Sequence, residues 1–249
     1  MQEYEIEFLS TLRYAFTTMP YLLPFVMLFG FLTIKVARGD DFAVVMPLVL
    51  LALTMWTFIA VVKSGAVTRV ISTLFVGFVA LAIFSRFDVL TYSALGPQLL
   101  GAPLVLVLMW TALVCGVTAI AERKIERENR EVVAWIEVCV LGGGIGALWS
   151  LVVNPALFSI GVFAYRSSGL YYGVPFLHMA FWSVSVAAGA LAFVWLSDHE
   201  ERALPLGSIA GPLLLVGYAT GACIAVGAWV PAVLGLVVAQ LGFRAMYYL

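Results

Sequence analysis

Residues 132–153 read VVAWIEVCVLGGGIGALWSLVV, with Glu137 as their only charged group. A helix rises about 1.5 Å per residue, so about 20 apolar residues cross a hydrocarbon layer about 30 Å thick. This stretch therefore reads as a membrane-spanning helix. Working outward, comparable apolar runs extend over Tyr21–Val36, Phe42–Val62, Val67–Phe84, Leu95–Glu122, Pro175–Leu196, Leu206–Val226 and Trp229–Phe243. Eight such runs use about 160 positions of a 249-residue chain that is 63% hydrophobic and 11% charged. A soluble domain carries about 25% charged residues. The expected fold class is all-α: a polytopic transmembrane helical bundle of about eight spans, forming one integral membrane domain over residues 1–249. Tyr4, Phe8, Leu12 and Phe16 recur every fourth position and predict an interfacial N-terminal helix ahead of the first span.

The connections are short. Lys63, Ser64 and Gly65 make a turn that predicts an antiparallel pair on either side of it. Asn154 has the chemistry of an N-cap and Pro155 that of a first helical residue, so 154–174 reads as a short half-buried helix and a turn. Between Glu122 and Glu131 four acids and four bases interleave, as in a solvated helical extension laced by ion pairs. Nine of the 13 basic residues fall in the N-terminal, 2–3, 4–5, 6–7 and C-terminal segments, which puts both termini in the cytoplasm if there are eight spans. A seven-span count would export the C-terminus. The acidic Glu3, Glu5 and Glu7 are unlike the basic start of a signal peptide, so cleavage is not expected.

A net charge of -1 without a basic run excludes nucleic acid as a partner. Cys115, Cys139 and Cys223 lie in apolar stretches without metal-ligand spacing, so they read as small buried residues. No metal or cofactor is expected. The cluster Gly142, Gly143, Gly144 and Gly146 lacks the strand and lysine of a phosphate loop; it suits close helix packing or passage of a flat polyene.

Two segments place glycine, proline and aromatic residues where spans meet loops, both on the expected non-cytoplasmic side. The first contains Phe87, Asp88, Tyr92, Leu95, Gly96, Pro97, Gly101, Ala102 and Pro103. The second contains Asn154, Pro155, Gly161, Phe163, Tyr165, Gly169, Tyr171, Tyr172, Gly173, Val174, Pro175, His178 and Trp182. On these motifs the chain resembles the integral-membrane carotenoid biosynthesis proteins of the bisanhydrobacterioruberin hydratase kind, whose best-known activity is hydration of acyclic carotenoid ends. The resemblance implies a carotenoid or other isoprenoid lipid as ligand. It also marks departures. A glutamate usual before the first motif is absent from Val76–Phe84, two aspartates usual before the second are Ser150 and Asn154, and the family asparagine is His178.

Adding water to an isolated trisubstituted alkene needs a proton donor at the double bond, stabilisation of a tertiary cation and a delivered water. Asp88, beside Arg86 in the first motif, is the preferred acid; a loop-capping carboxylate is the alternative. His178 titrates near neutrality in its free form and is one turn into the sixth span, where a hydrogen-bonded packing histidine is the plainer reading. Glu137 is the one acid inside a span, placed on the cytoplasmic half, where it serves as a proton carrier or snorkels to the interface. Tyr92, Pro97, Trp149, Asn154, Tyr165, Tyr171, Tyr172 and Trp182 are the candidate substrate-binding residues, with aromatic faces as a cation cage. Interfacial belt residues are the competing reading of those aromatics. Arg166 suits a lipid headgroup.

Two functions follow. One is an enzyme that hydrates the terminal double bond of an acyclic carotenoid entering sideways from lipid into an aromatic-rimmed cleft. The other is a non-catalytic carotenoid- or lipid-binding subunit of a larger membrane complex. A transporter has too few buried polar residues to line an ion path.

Overall fold

A computed structural model of the chain describes residues 22–36, 40–86, 90–92, 97–128, 131–195 and 204–248. The expected interfacial helix and Asp88 lie outside the described residues. Among these residues the chain forms eight α-helices: α1 (Leu22–Val36), α2 (Asp40–Ser64), α3 (Val67–Arg86), α4 (Leu104–Glu128), α5 (Glu131–Ser159), α6 (Phe176–Trp195), α7 (Ala210–Ala225) and α8 (Trp229–Tyr248). Five are long and apolar enough to cross a membrane: α2, α4, α5, α6 and α7 with the 3₁₀ turn Leu206–Ile209 that leads into it. α1, α3 and α8 carry shorter apolar stretches. The all-α bundle stands.

Burial ranks the helices. The apolar stretches of α4 and α7 are 83% and 89% buried within the protein, against 39% for those of α5 and α6. α4 and α7 form the centre, and the rest present one side outward. On α3 that side is Ile71, Phe75, Val79 and Ile83, all exposed and spaced by one turn, as lipid contact requires. The Lys63–Gly65 turn forms as expected, with Gly65 at φ 82° and its N–H donating to Val62. It does not make α2 and α3 principal neighbours, however: α3 packs on α4 and α6, and α2 on α7 and α4.

Small residues set the closest seam. A Cβ on Gly142 would sit 2.9 Å from the Ala187 backbone, and one on Gly146 2.7 Å from the Trp182 carbonyl. Ser183 Oγ donates across the same seam to the Gly143 carbonyl at 2.8 Å. The glycine cluster is thus a helix-packing surface, with α5 and α6 antiparallel.

Three expectations need correction. Asn154 is no N-cap, because α5 runs unbroken through Pro155 to Ser159. A proline inside a helix leaves the carbonyl four residues earlier without its N–H partner; here that is Leu151, and the Tyr171 hydroxyl donates to it at 3.0 Å. Ahead of α7, Thr57 Oγ1 of α2 donates to the Ser208 carbonyl of the 3₁₀ turn at 2.9 Å. The fourth helix begins at Leu104 rather than near Leu95. Ahead of it, β2 (Gln98–Leu99) and β3 (Ala102–Pro103) form a hairpin turned by Leu100 (φ 51°) and Gly101 (φ 85°), both in the left-handed region that two-residue hairpin turns use. Finally, Glu122 is not solvated. It accepts from Arg69 Nη1 at 2.7 Å and from the Leu204 N–H at 2.7 Å, tying α3 and α4 to the segment before α7.

Two further strands, β1 (Leu90–Tyr92) and β4 (Phe163–Tyr165), pair antiparallel in the register Leu90↔Tyr165, Thr91↔Ala164, Tyr92↔Phe163. Neither was visible as a strand in the sequence, being three residues long and flanked by masses of helix.

Candidate functional site

The β1–β4 ladder joins the two motif segments at one end of the bundle. β1 follows α3 and β4 follows α5, so the ladder lies at the ends of α3 and α5. Tyr165 of the ladder meets His178 and, beyond it, Trp182 of α6. The Tyr165 ring meets the His178 imidazole edge-on at 5.3 Å between centroids and lies 5.5 Å from Phe158. Phe181 stacks on the other side of His178 at 6.4 Å. Trp182 packs against Trp149 of α5 at 6.4 Å. His178, Trp149 and Trp182 are all buried.

His178 owes its position to Pro175, which precedes α6 and accepts the His178 N–H at 3.0 Å. Its Nε2 lies 3.0 Å from Trp182 Nε1. An indole nitrogen only donates, so Nε2 is the acceptor and the neutral imidazole carries its proton on Nδ1. One turn apart on α5, Asn154 Nδ2 donates to Ser150 Oγ at 2.7 Å, and both residues are fully buried. Asn154 Oδ1 and Trp149 Nε1 are buried with no hydrogen-bond partner among the described residues. The α5–α6 register set by Gly142 and Gly146 carries Asn154 to about the level of Pro175 and His178.

The loop between β4 and α6 is pinned at both ends. Gly169 bridges to Gly173 and Tyr171 to Val174, with Tyr172 at φ 47° and Gly173 at φ 82° making the reversal. A side chain on Gly169 would strike the Val174 carbonyl, so only glycine fits there. Tyr171 reaches back to α5 through the Leu151 carbonyl, and the Tyr172 hydroxyl accepts from the Val230 N–H at the start of α8 at 3.4 Å. Burial, reinforced by neighbouring Tyr172, pushes the Tyr171 phenol up to about 12. The rings of Tyr171 and Tyr172 meet edge-on at 5.2 Å.

The structure gathers Trp149, Asn154, Tyr165, Tyr171, Tyr172, His178 and Trp182 around this end. Tyr92 is opposite Phe163 in the ladder, so its backbone belongs to the same place. Pro97 is exposed and closes the β2–β3 hairpin through its carbonyl, which accepts the Leu104 N–H at 3.1 Å. Glu137 is half-buried and about 25 Å from Asn154 along α5, too far to share its chemistry. Phe158, Phe181 and the Ser150 hydroxyl are members that sequence reasoning did not select. Ser150 had a signal, since it stands one turn before Asn154 on the same helix face; the phenylalanines had none beyond their apolarity. Aromatic faces of this kind stabilise positive charge by about 0.5–2 kcal/mol per ring, and the Asn154 amide offers a hydrogen bond to an oxygen.

A family model described as "Carotenoid biosynthesis protein" matches residues 42–241, which run from the start of α2 into α8 and include both motifs. The chain belongs to the carotenoid biosynthesis protein family. No curated protein and no solved structure matches it significantly. This carotenoid biosynthesis protein is accordingly an integral membrane protein whose five long apolar helices fall inside the matched span. The family places the chain in a carotenoid or isoprenoid lipid context.

Proposed function

We propose that the protein binds the end of an acyclic carotenoid among Tyr165, Tyr171, His178 and Trp182 and hydrates its terminal double bond. The observation that carries this reading is the β1–β4 ladder, which sets the first motif against the second directly over His178. Asp88, two residues before β1, is the proposed acid. Its carboxyl proton adds to the less substituted alkene carbon, and the double bond becomes a tertiary cation facing the aromatic rings. Water then attacks the cationic, more substituted carbon and returns a proton to the carboxylate, leaving a tertiary alcohol. His178 has its Nε2 occupied by Trp182, which suits a positioning role rather than proton donation from that atom. Glu137 takes no step, given its distance.

A second reading has its own support. The described carboxylates all lie in the first turn of α2, the last turns of α4 or the first turns of α5, and none stands in the aromatic cluster. That favours a carotenoid-binding subunit without turnover, in a complex with a protein partner or with membrane lipids.

One experiment separates the two. Protein reconstituted in lipid vesicles is given an acyclic carotenoid in heavy-oxygen water, and the pigments are read by mass spectrometry. Incorporation of the label into a tertiary alcohol, lost in Asp88→Asn, is the expected result. Bound but unmodified carotenoid overturns the enzyme in favour of the subunit, and absence of both binding and turnover overturns both.

A further inference from the structure

Inside a membrane helix, a half-satisfied amide is an unusual expense. Ser150 and Asn154 are fully buried, and their mutual hydrogen bond uses one polar atom of the Asn154 side chain. The other has no partner among the described residues, and five residues earlier Trp149 Nε1 is buried and equally unpartnered. A polar group withdrawn from water without a replacement bond is destabilising, and apolar residues of similar size would remove that penalty. Around it stand the aromatic rings of Trp149, Trp182, Phe158 and Tyr165, with the His178 imidazole at the same level and its Nε2 taken by Trp182. The environment thus asks for an apolar ligand with one small polar group. A hydroxyl suits the spare Asn154 atom in kind, because it donates to an amide oxygen.

We propose that the Asn154 amide is an oxygen-binding position for the hydroxyl of a hydroxylated isoprenoid end, so that the protein holds the alcohol end of a polyene in preference to the hydrocarbon end. This rests on the carotenoid-binding reading above and adds which end state is recognised. It makes the protein a holder of the hydrated end, and any following reaction must accept a tertiary alcohol rather than an alkene.

The test uses the full chain in phosphatidylcholine nanodiscs and two acyclic polyenes of equal length, one ending in a tertiary alcohol and one in a hydrocarbon, titrated by quenching of tryptophan fluorescence. The wild type is expected to bind the alcohol about tenfold more tightly. Asn154→Leu brings the alcohol down to the affinity of the hydrocarbon, and Asn154→Asp, which keeps an acceptor of the same size, retains the preference. Equal affinity for the two probes in the wild type overturns the proposal and leaves carotenoid binding intact; this needs no variant. A preference that survives Asn154→Leu, or Asn154→Ala should the leucine variant not fold, also overturns it. If neither probe binds, the carotenoid-binding reading fails with it.

Discussion

The Tyr171 hydroxyl donates to the Leu151 carbonyl, the one that Pro155 leaves unpaired in the middle of α5. The loop that carries the second motif is therefore fastened to a defect in the neighbouring helix. Removing the donor in Tyr171→Phe should destabilise the protein by about 1–2 kcal/mol. Restoring the backbone N–H in Pro155→Ala should make the same Tyr171→Phe change nearly neutral. Denaturant unfolding of the four proteins in detergent measures the coupling, and equal losses in both backgrounds would refute the link.

His178 should exist as the Nδ1–H tautomer, because Trp182 Nε1 occupies its Nε2. Nitrogen NMR of labelled protein distinguishes the two ring nitrogens directly. In Trp182→Phe the constraint disappears and the Nε2–H form should become populated. A wild-type spectrum already showing Nε2–H would contradict the geometry.

Arg69 and Glu122 form a largely enclosed pair, with Arg69 3% exposed and its guanidinium 5.5 Å from the Phe193 ring centroid. Arg69→Met removes the guanidinium that the largely enclosed Glu122 carboxylate accepts from and should cost about 3 kcal/mol in unfolding free energy. Arg69→Met combined with Glu122→Leu should cost less than Arg69→Met alone, since the carboxylate is then removed as well. A purely additive double variant would show that the two groups do not interact.

The Tyr171 phenol supplies a pH dependence. Its folded-state value, about 12, lies above the ordinary 10, so folding favours the protonated form. The stabilisation is complete below about pH 10 and is lost as the pH rises through the folded value. Nothing is expected to change near neutrality. Phenolate absorbance of wild type minus Tyr171→Phe should appear later than that of a free tyrosine, and unfolding the protein should bring it back to the ordinary range.

The sequence made the helices legible because apolar runs of bilayer length admit few other structures, and residues 132–153 alone decide the class. The gathering of Tyr165, Tyr171, Tyr172, His178 and Trp182 was foreshadowed by glycine, proline and aromatic spacing. What stayed hidden was set by long-range partners. Asn154 followed by Pro155 has the local chemistry of a helix start, whereas α5 continues through Pro155 with its freed Leu151 carbonyl met by Tyr171, sixteen positions further on. Arg69 buried against Glu122 was hidden likewise, since the interleaved charges after Glu122 look uniformly solvated. The β1–β4 ladder escaped because three-residue strands carry no periodicity long enough to read.

That ladder also fixes an order of events. Leu90 and Tyr165 are separated by two entire bilayer-length helices, so during synthesis the first strand leaves the ribosome long before its mate exists. A nascent chain halted ahead of Phe163 would hold every helix up to α5 and have neither β4 nor His178. The functional end is consequently among the late parts of the protein to mature, and errors made while threading α4 or α5 into the bilayer should surface there first.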